Sequence, residues 1–281
     1  MKAAVCNELI IDRPFPEACQ LIARCGFQGV ELAPYTLAED PLRITPSQAR
    51  AMRRVVEGTG LTCLGLHWLL KAPPGLHLTT SDLTVRKRSW DAMRSLVALC
   101  QELGGHLMVL GSGQQRSAHG VSREEAQRIL QEGLAALAPE AQSAGVTVLL
   151  EPLPTNVTDV VNTLEEARKI TAVIASPAVA GMFDFHNTKK ESLPWDQLIT
   201  RHFDLIRHVH LNEVDGYHPS PVERPGRERS DFLPAFRVLV NRGYMGWVSL
   251  EIFHADDPPA EVLQETWSFL DEIWRVLHVS R

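Results

Sequence analysis

The sequence predicts an α/β protein, a single (β/α)8 TIM barrel domain spanning residues 1–281. Three observations carry that prediction. Strand-like and helix-like segments alternate from end to end, the pattern of a parallel sheet with crossover helices. A length of 281 residues suits one large barrel of about 250 residues, and no repeat, low-complexity tract or linker splits the chain. Finally, four strand-like runs stop abruptly on a ligand-type side chain. Val146 to Leu150 runs into Glu151, Val179 to Phe183 into Asp184, Leu205 to Val209 into His210, and Trp247 to Leu250 into Glu251. In a closed parallel barrel such residues meet at one mouth, the C-terminal face on which that architecture carries its chemistry.

Each unit has its own local signal. Lys2 to Cys6 reads as the first strand, and Pro16 to Arg24 as a short amphipathic helix closed by Gly26. Gly29 to Leu32 is the second strand and carries Glu31 near its end. Thr45-Pro46-Ser47 opens a helix to about Glu57, with the proline where its missing N–H costs nothing. Leu61 to Leu66 is the third strand and delivers His67 and Trp68 to the mouth. The segment from Leu69 to Ser81, with two adjacent prolines, reads as a loop long enough to act as a lid. Asp82 or Thr84 caps a helix to about Leu103, and His106 to Leu110 forms the fourth strand before Gly111-Ser112-Gly113. Ser122 with Glu125, and Thr163 with Glu166, read as capping boxes that start the next two helices. The last three helices fall over about Trp195 to Thr200, Phe232 to Asn241 and Ala260 to Leu277, with the eighth strand over Gly246 to Ile252.

Composition narrows the function. A net charge of −6 argues against a nonspecific polyanion binder, because affinity for a phosphate backbone needs clustered Lys and Arg. The run Arg86-Lys87-Arg88 lies in a helical pattern and reads as a solvated face. The five cysteines form an odd set without Cys-x-x-Cys spacing, so neither a disulfide framework nor a zinc finger is expected. The opening Lys2 to Cys6 lacks the basic and then apolar layout of a signal peptide, and no apolar run reaches membrane-spanning length. A cytoplasmic protein with no nucleic-acid or membrane partner is expected.

Glu151, Asp184, His210 and Glu251 make a hard, mostly oxygen, four-ligand set for one divalent metal ion. Mn²⁺ fits it first, with Mg²⁺, Co²⁺ or Zn²⁺ as alternatives. Such a set leaves open positions for two substrate oxygens. Glu151 and Glu251 come from strands on nearly opposite sides of the ion, so one can remove a proton beside a chelated carbonyl and the other can return it. Return to the same carbon gives epimerisation; return to its neighbour gives aldose–ketose isomerisation. His208 and His210 alternate on one strand and share a face, and the one nearer the C-terminal end is read as the ligand. His67 and Trp68 are read as pocket wall and contacts to substrate hydroxyls, His186 as a substrate contact, and Glu31 as either a pocket or a structural residue.

These motifs resemble one known group. Gly29 to Leu32, Leu150-Glu151-Pro152-Leu153, Asp159 to Thr163, Phe183-Asp184, His208-Val209-His210 and Ser249-Leu250-Glu251 are similar to those of the xylose isomerase-like TIM barrels. That sugar phosphate isomerase/epimerase superfamily includes ketose 3-epimerases, hydroxypyruvate isomerases and inosose dehydratases. The resemblance implies metal binding by Glu151, Asp184, His210 and Glu251, with the two glutamates exchanging the proton. By analogy it also implies a homodimer or homotetramer and a small sugar or keto-polyol substrate. The chain departs from the family pattern at substrate-contact positions. Asn187 stands where a histidine usually follows the strand-six aspartate, Pro154-Thr155-Asn156-Val157 replaces an Asn-Arg pair, and Arg224 to Glu228 carries Glu228 in place of a glycine. Asn187 and Arg224 are therefore expected at the substrate.

Three alternatives stand beside the isomerase or epimerase. A lyase or dehydratase would use the same enolising site to expel a β-hydroxyl. An apurinic endonuclease would need further His and Asp ligands, and Gly111-Ser112-Gly113 at the end of the fourth strand offers none. A non-catalytic barrel would have no use for the intact ligand set.

Overall fold

The computed structural model describes residues 1–227 and 229–279. Eight parallel strands form a closed barrel in sequence order. They are β1 (Lys2–Cys6), β2 (Gly29–Leu32), β3 (Thr62–Leu66), β4 (Leu107–Leu110), β5 (Thr147–Leu150), β6 (Val179–Asp184), β7 (Ile206–Leu211) and β8 (Trp247–Leu250). β1 pairs with both β2 and β8, which closes the sheet and leaves no edge strand.

The helices that return the chain are α1 (Phe15–Arg24), α3 (Pro46–Gly58), α4 (Leu83–Glu102), α5 (Arg123–Ser143), α6 (Leu164–Ile174), α7 (Trp195–His202), α8 (Leu233–Asn241) and α9 (Pro259–Val276). One further turn, α2 (Pro34–Leu37), follows β2 and is too short to leave a periodic signal in the sequence. The expected N-cap residues are in place, but the Ser122 box is half-formed, because the Glu125 carboxylate pairs with Arg128. Thr45 makes a full capping box with Gln48, Asp82 accepts from the Thr84 and Val85 amides, and Ser122 accepts from the Glu125 amide. Thr163 caps α6 through the Glu166 amide, but the Glu166 carboxylate turns to the Asn162 amide and to Arg123. Each such cap contributes about 1 kcal/mol.

Two apolar layers hold the sheet. The larger lies between strands and helices, and a separate one fills the barrel with Ala4, Leu64, Leu107, Val109, Leu149, Ala180, Met182 and Trp247. Side chains alternate along a strand, so the inward parity of Leu149, Met182 and Trp247 is also that of Glu151, Asp184 and Glu251. The apolar layer thus forms the floor on which the polar one stands. At the end of β6, Phe185 packs edge-on against Phe183, Trp195 and Phe232, with ring centroids 4.8–5.0 Å apart. Each such pair contributes about 0.5–1.5 kcal/mol beyond its buried area, enough to fix the backbone that carries Asp184 and His186.

The loop after β3 differs from the lid expected of it. Leu69, Leu70, Leu76, Leu78, Thr79 and Thr80 are all buried, the Leu70 amide donates to Ser112 Oγ, and the Leu78 amide donates to the Gln115 carbonyl. Its prolines and Gly75 set the turns, but its leucines insert it into the wall. All five cysteines are buried and unpaired. Among the described residues no helix is long and apolar enough to cross a membrane.

Candidate functional site

The four strand-end residues come together. One ligand atom from each of Glu151, Asp184, His210 and Glu251 lies within 4.8 Å of the others, and all four residues are buried. The centre of the group is His210 Nδ1, with Glu251 Oε2 at 2.9 Å, Asp184 Oδ2 at 3.6 Å and Glu151 Oε1 at 3.9 Å. Yet that nitrogen has no hydrogen bond of acceptable geometry. A buried ring nitrogen turned toward three carboxylates, with no well-formed hydrogen bond to any of them, suits a shared cation, so this donor set fits a divalent metal.

Electrostatics says the same. Burial pushes the Glu151 carboxyl up to about 8, with the Glu251 and Asp184 charges adding to it. Burial also raises Glu251, against the pull of His210. Burial alone would lower His210, but Glu251 and Glu31 hold it well above its usual range. Two glutamates and an imidazole are therefore crowded into a buried volume where their charges conflict, a conflict that a divalent cation resolves.

Two amides orient the acids. Asn187 donates from its side chain to Glu151 Oε1 at 2.9 Å and from its backbone to Asp184 Oδ1 at 2.6 Å. Asn212 Nδ2 reaches Asp184 Oδ2 at 3.3 Å, while its own Oδ1 accepts from the His186 amide. Gly111 makes room for Glu151, since a Cβ there would stand 2.3 Å from Glu151 Oε2. Asn212 was not singled out by sequence reading, although it directly follows β7, two residues past His210.

Glu31 is not at the cavity surface. It is fully buried beneath the quartet, where Oε2 meets His208 Nε2 at 2.8 Å and Oε1 meets His210 Nε2 at 3.1 Å. Burial by itself would raise its carboxyl, but the two histidines hold it well below the usual carboxylate range. By occupying Nε2, Glu31 leaves Nδ1 of His210 facing the quartet, the carboxylate–histidine arrangement that orients metal ligands. A ladder irregularity between Val30 and Glu31 turns the side chain to this position. His67 stands alongside, its Nε2 2.6 Å from Glu8 Oε2 and its Nδ1 3.7 Å from Glu31 Oε1.

Above the quartet opens a cavity of about 430 Å³, within the range of about 300–1,000 Å³ of small-molecule sites. Glu151, Glu251, His67, His186 and Asn187 line its polar floor, and Trp68, Val109, Leu153, Val157 and Phe253 its apolar wall. Of the residues expected at the substrate, His67, Trp68, His186 and Asn187 are there. Arg224 is not: it is held by Asp257 and Glu265 in a smaller neighbouring cavity with Glu213 and His218, because those carboxylates satisfy its guanidinium outside the mouth. Glu228 lies outside the described residues. Two wall residues, Trp68 at φ 50° and Ser112 at φ 33°, hold left-handed conformations that cost about 1–3 kcal/mol each, as residues at ligand clamps often do.

Sequence reading also missed Arg116, which carries no motif. It is fully buried and donates to the carbonyls of Gly111 at 2.6 Å, Val160 at 2.6 Å and Glu151. The guanidinium ties the ends of β4 and β5 together behind the site. Arg116→Met would leave those three carbonyls without donors, each at about 1–3 kcal/mol. A loss of at least about 3 kcal/mol in urea unfolding is expected; a change below about 1 kcal/mol would show that water or a shifted loop replaces it.

Comparison with known proteins identifies the fold and the family. The chain is similar to fructoselysine 3-epimerase of Shigella flexneri, with 23% identity over 257 residues covering 88% of this chain and 86% of that protein. Among solved structures it is similar to D-psicose 3-epimerase in the presence of D-fructose, at a TM-score of 0.83 and 17% identity over 99% of both chains. It is also similar to the apo form of 3-keto-D-glucoside 4-epimerase from E. coli, at a TM-score of 0.82 and 21% identity over 97% of this chain and 99% of that one. These structural likenesses establish the fold. Residues 19–273 match the xylose isomerase-like TIM barrel description, and the chain belongs to that family.

Proposed function

We propose that the protein is a divalent-metal-dependent sugar epimerase or isomerase that moves a proton beside a carbonyl. The observation that carries this reading is the pair Glu151 and Glu251, two carboxylates from different strands that face one cavity across a single imidazole nitrogen. The names of the relatives, epimerases of keto-sugars, support it. Glu151, Asp184, His210 through Nδ1, and Glu251 would hold the metal, with Mn²⁺ the first expectation. When bound, it polarises a chelated carbonyl and so acidifies the neighbouring C–H.

The chain's own residues do the rest. One glutamate takes the proton from carbon on its face of the substrate, and the other, carrying a proton, delivers it to the opposite face. Asn187 keeps Glu151 aimed, and His67 and His186 stand on the polar floor within reach of substrate hydroxyls. The test is uptake of solvent deuterium at the carbon next to the carbonyl, in D₂O with Mn²⁺, across ketoses and keto-glycosides. Exchange accompanied by a new epimer is expected. An enone chromophore without epimer would instead identify a lyase, and no exchange with any sugar would remove the reading.

A further inference from the structure

The cavity has a cation at its mouth that the proton transfer does not use. Lys71 is the only lysine or arginine among the described residues lining it. Its Nζ sits 4.0 Å from the Tyr35 ring centroid and 5.1 Å from that of Trp68, and it has no carboxylate partner among the described residues. Two facts make this more than a mobile surface lysine. The adjoining Leu69 and Leu70 are 0% and 1% exposed, and the Leu70 amide is tied to Ser112, so the backbone carrying Lys71 is pinned. Trp68, one of its two platforms, is itself held in a left-handed conformation at the cavity wall.

We infer that Lys71 reads an anionic group on the substrate, so that the preferred substrate is a keto-sugar carrying a phosphate or carboxylate substituent. The inference rests on the epimerase reading for the identity of the sugar and on Lys71 alone for the anion. The dimensions agree. The polar floor holds the reacting carbons, and the wall of Trp68, Leu153, Val157 and Phe253 leads from there to the mouth, giving room for a substituent beyond a bare ketose. The two aromatic rings stabilise the ammonium without neutralising it, which leaves its charge available to an incoming anion.

The test uses alditols, which have no carbonyl and cannot be turned over. Calorimetric affinities of a neutral, a phosphate-terminated and a carboxylate-terminated alditol are measured on the purified protein with Mn²⁺, and again on Lys71→Met, whose stem still covers the rings. The wild type is expected to favour at least one anion by about tenfold, the scale of one hydrogen bond to a charged group, and the variant to bring that ratio to about one. Whichever anion binds tighter identifies the substituent. Equal affinities in the wild type, or an anion preference that survives in Lys71→Met, would overturn the inference. Absence of deuterium exchange with every ketose, alongside an intact anion preference, would remove the epimerase reading and leave Lys71 as an anion reader.

Discussion

Glutamine in place of Glu251 is expected to slow epimerisation by about 10²–10⁴-fold, the range for a positioned proton-transfer group, while one epimer still exchanges its proton with solvent. The reason lies in the two faces. If Glu151 and Glu251 each serve one side of the substrate, removing one base leaves the other able to take a proton and put it back. Glu151→Gln should then give the mirror result, with exchange confined to the other epimer. Glutamine keeps a carbonyl oxygen at the same place, and metal content measured on each variant separates a lost base from a lost ligand. NMR of each epimer in D₂O reads the outcome. If either substitution abolishes exchange in both epimers with metal retained, a two-base mechanism is wrong and a single shared base must be considered.

The second large effect is expected at Glu31, which touches neither cavity nor cation. Glu31→Gln keeps the shape but can no longer accept from both His208 and His210, so the His210 ring loses the partner that presents Nδ1. A fall in Mn²⁺ affinity of about 10–100-fold is expected, the usual effect of removing such a partner. The pH dependence in the wild type has a defined sign. Metal binding needs Glu151 ionised, and its carboxyl is pushed up to about 8, so a proton must leave when the ion enters neutral solution. Affinity should rise as pH goes from 6 to about 8.5, with proton release detectable in buffers of different ionisation enthalpy. An affinity flat over that window would mean that the carboxyl is already ionised before the ion arrives.

The convergence of Glu151, Asp184, His210 and Glu251 could be read in the sequence because burial leaves a one-dimensional trace there. Runs such as Val148 to Leu150 are apolar because both faces of a parallel strand are covered, so the first charged residue after them marks the barrel mouth. His210 could be preferred over His208 by position alone, and the structure puts His208 one layer lower, on Glu31. The loops gave no comparable trace. Arg116, Asn212 and Lys71 are placed by where a loop folds back, and neither periodicity nor spacing records that. The segment from Leu69 to Ser81 looked like a lid because prolines and glycine punctuate it, but its four leucines at positions 69, 70, 76 and 78 are core residues. Arg224 was carried by a loop motif, and the local pairing with Asp257 and Glu265 decided its position instead.

All four residues of the quartet lie at the ends of β5 to β8, in the second half of the chain, whereas Glu31, His67, Trp68, Lys71 and Ser112 come from the first. The Glu31 brace is where the halves meet, joining β2 to β7 through the bore. In the proposed reaction, proton transfer and much of recognition are therefore encoded in separate stretches of sequence. A gene conversion or shuffling event that replaced only the first stretch could hand the same reactive centre a new sugar, provided the incoming β2 still brought a carboxylate to the bore.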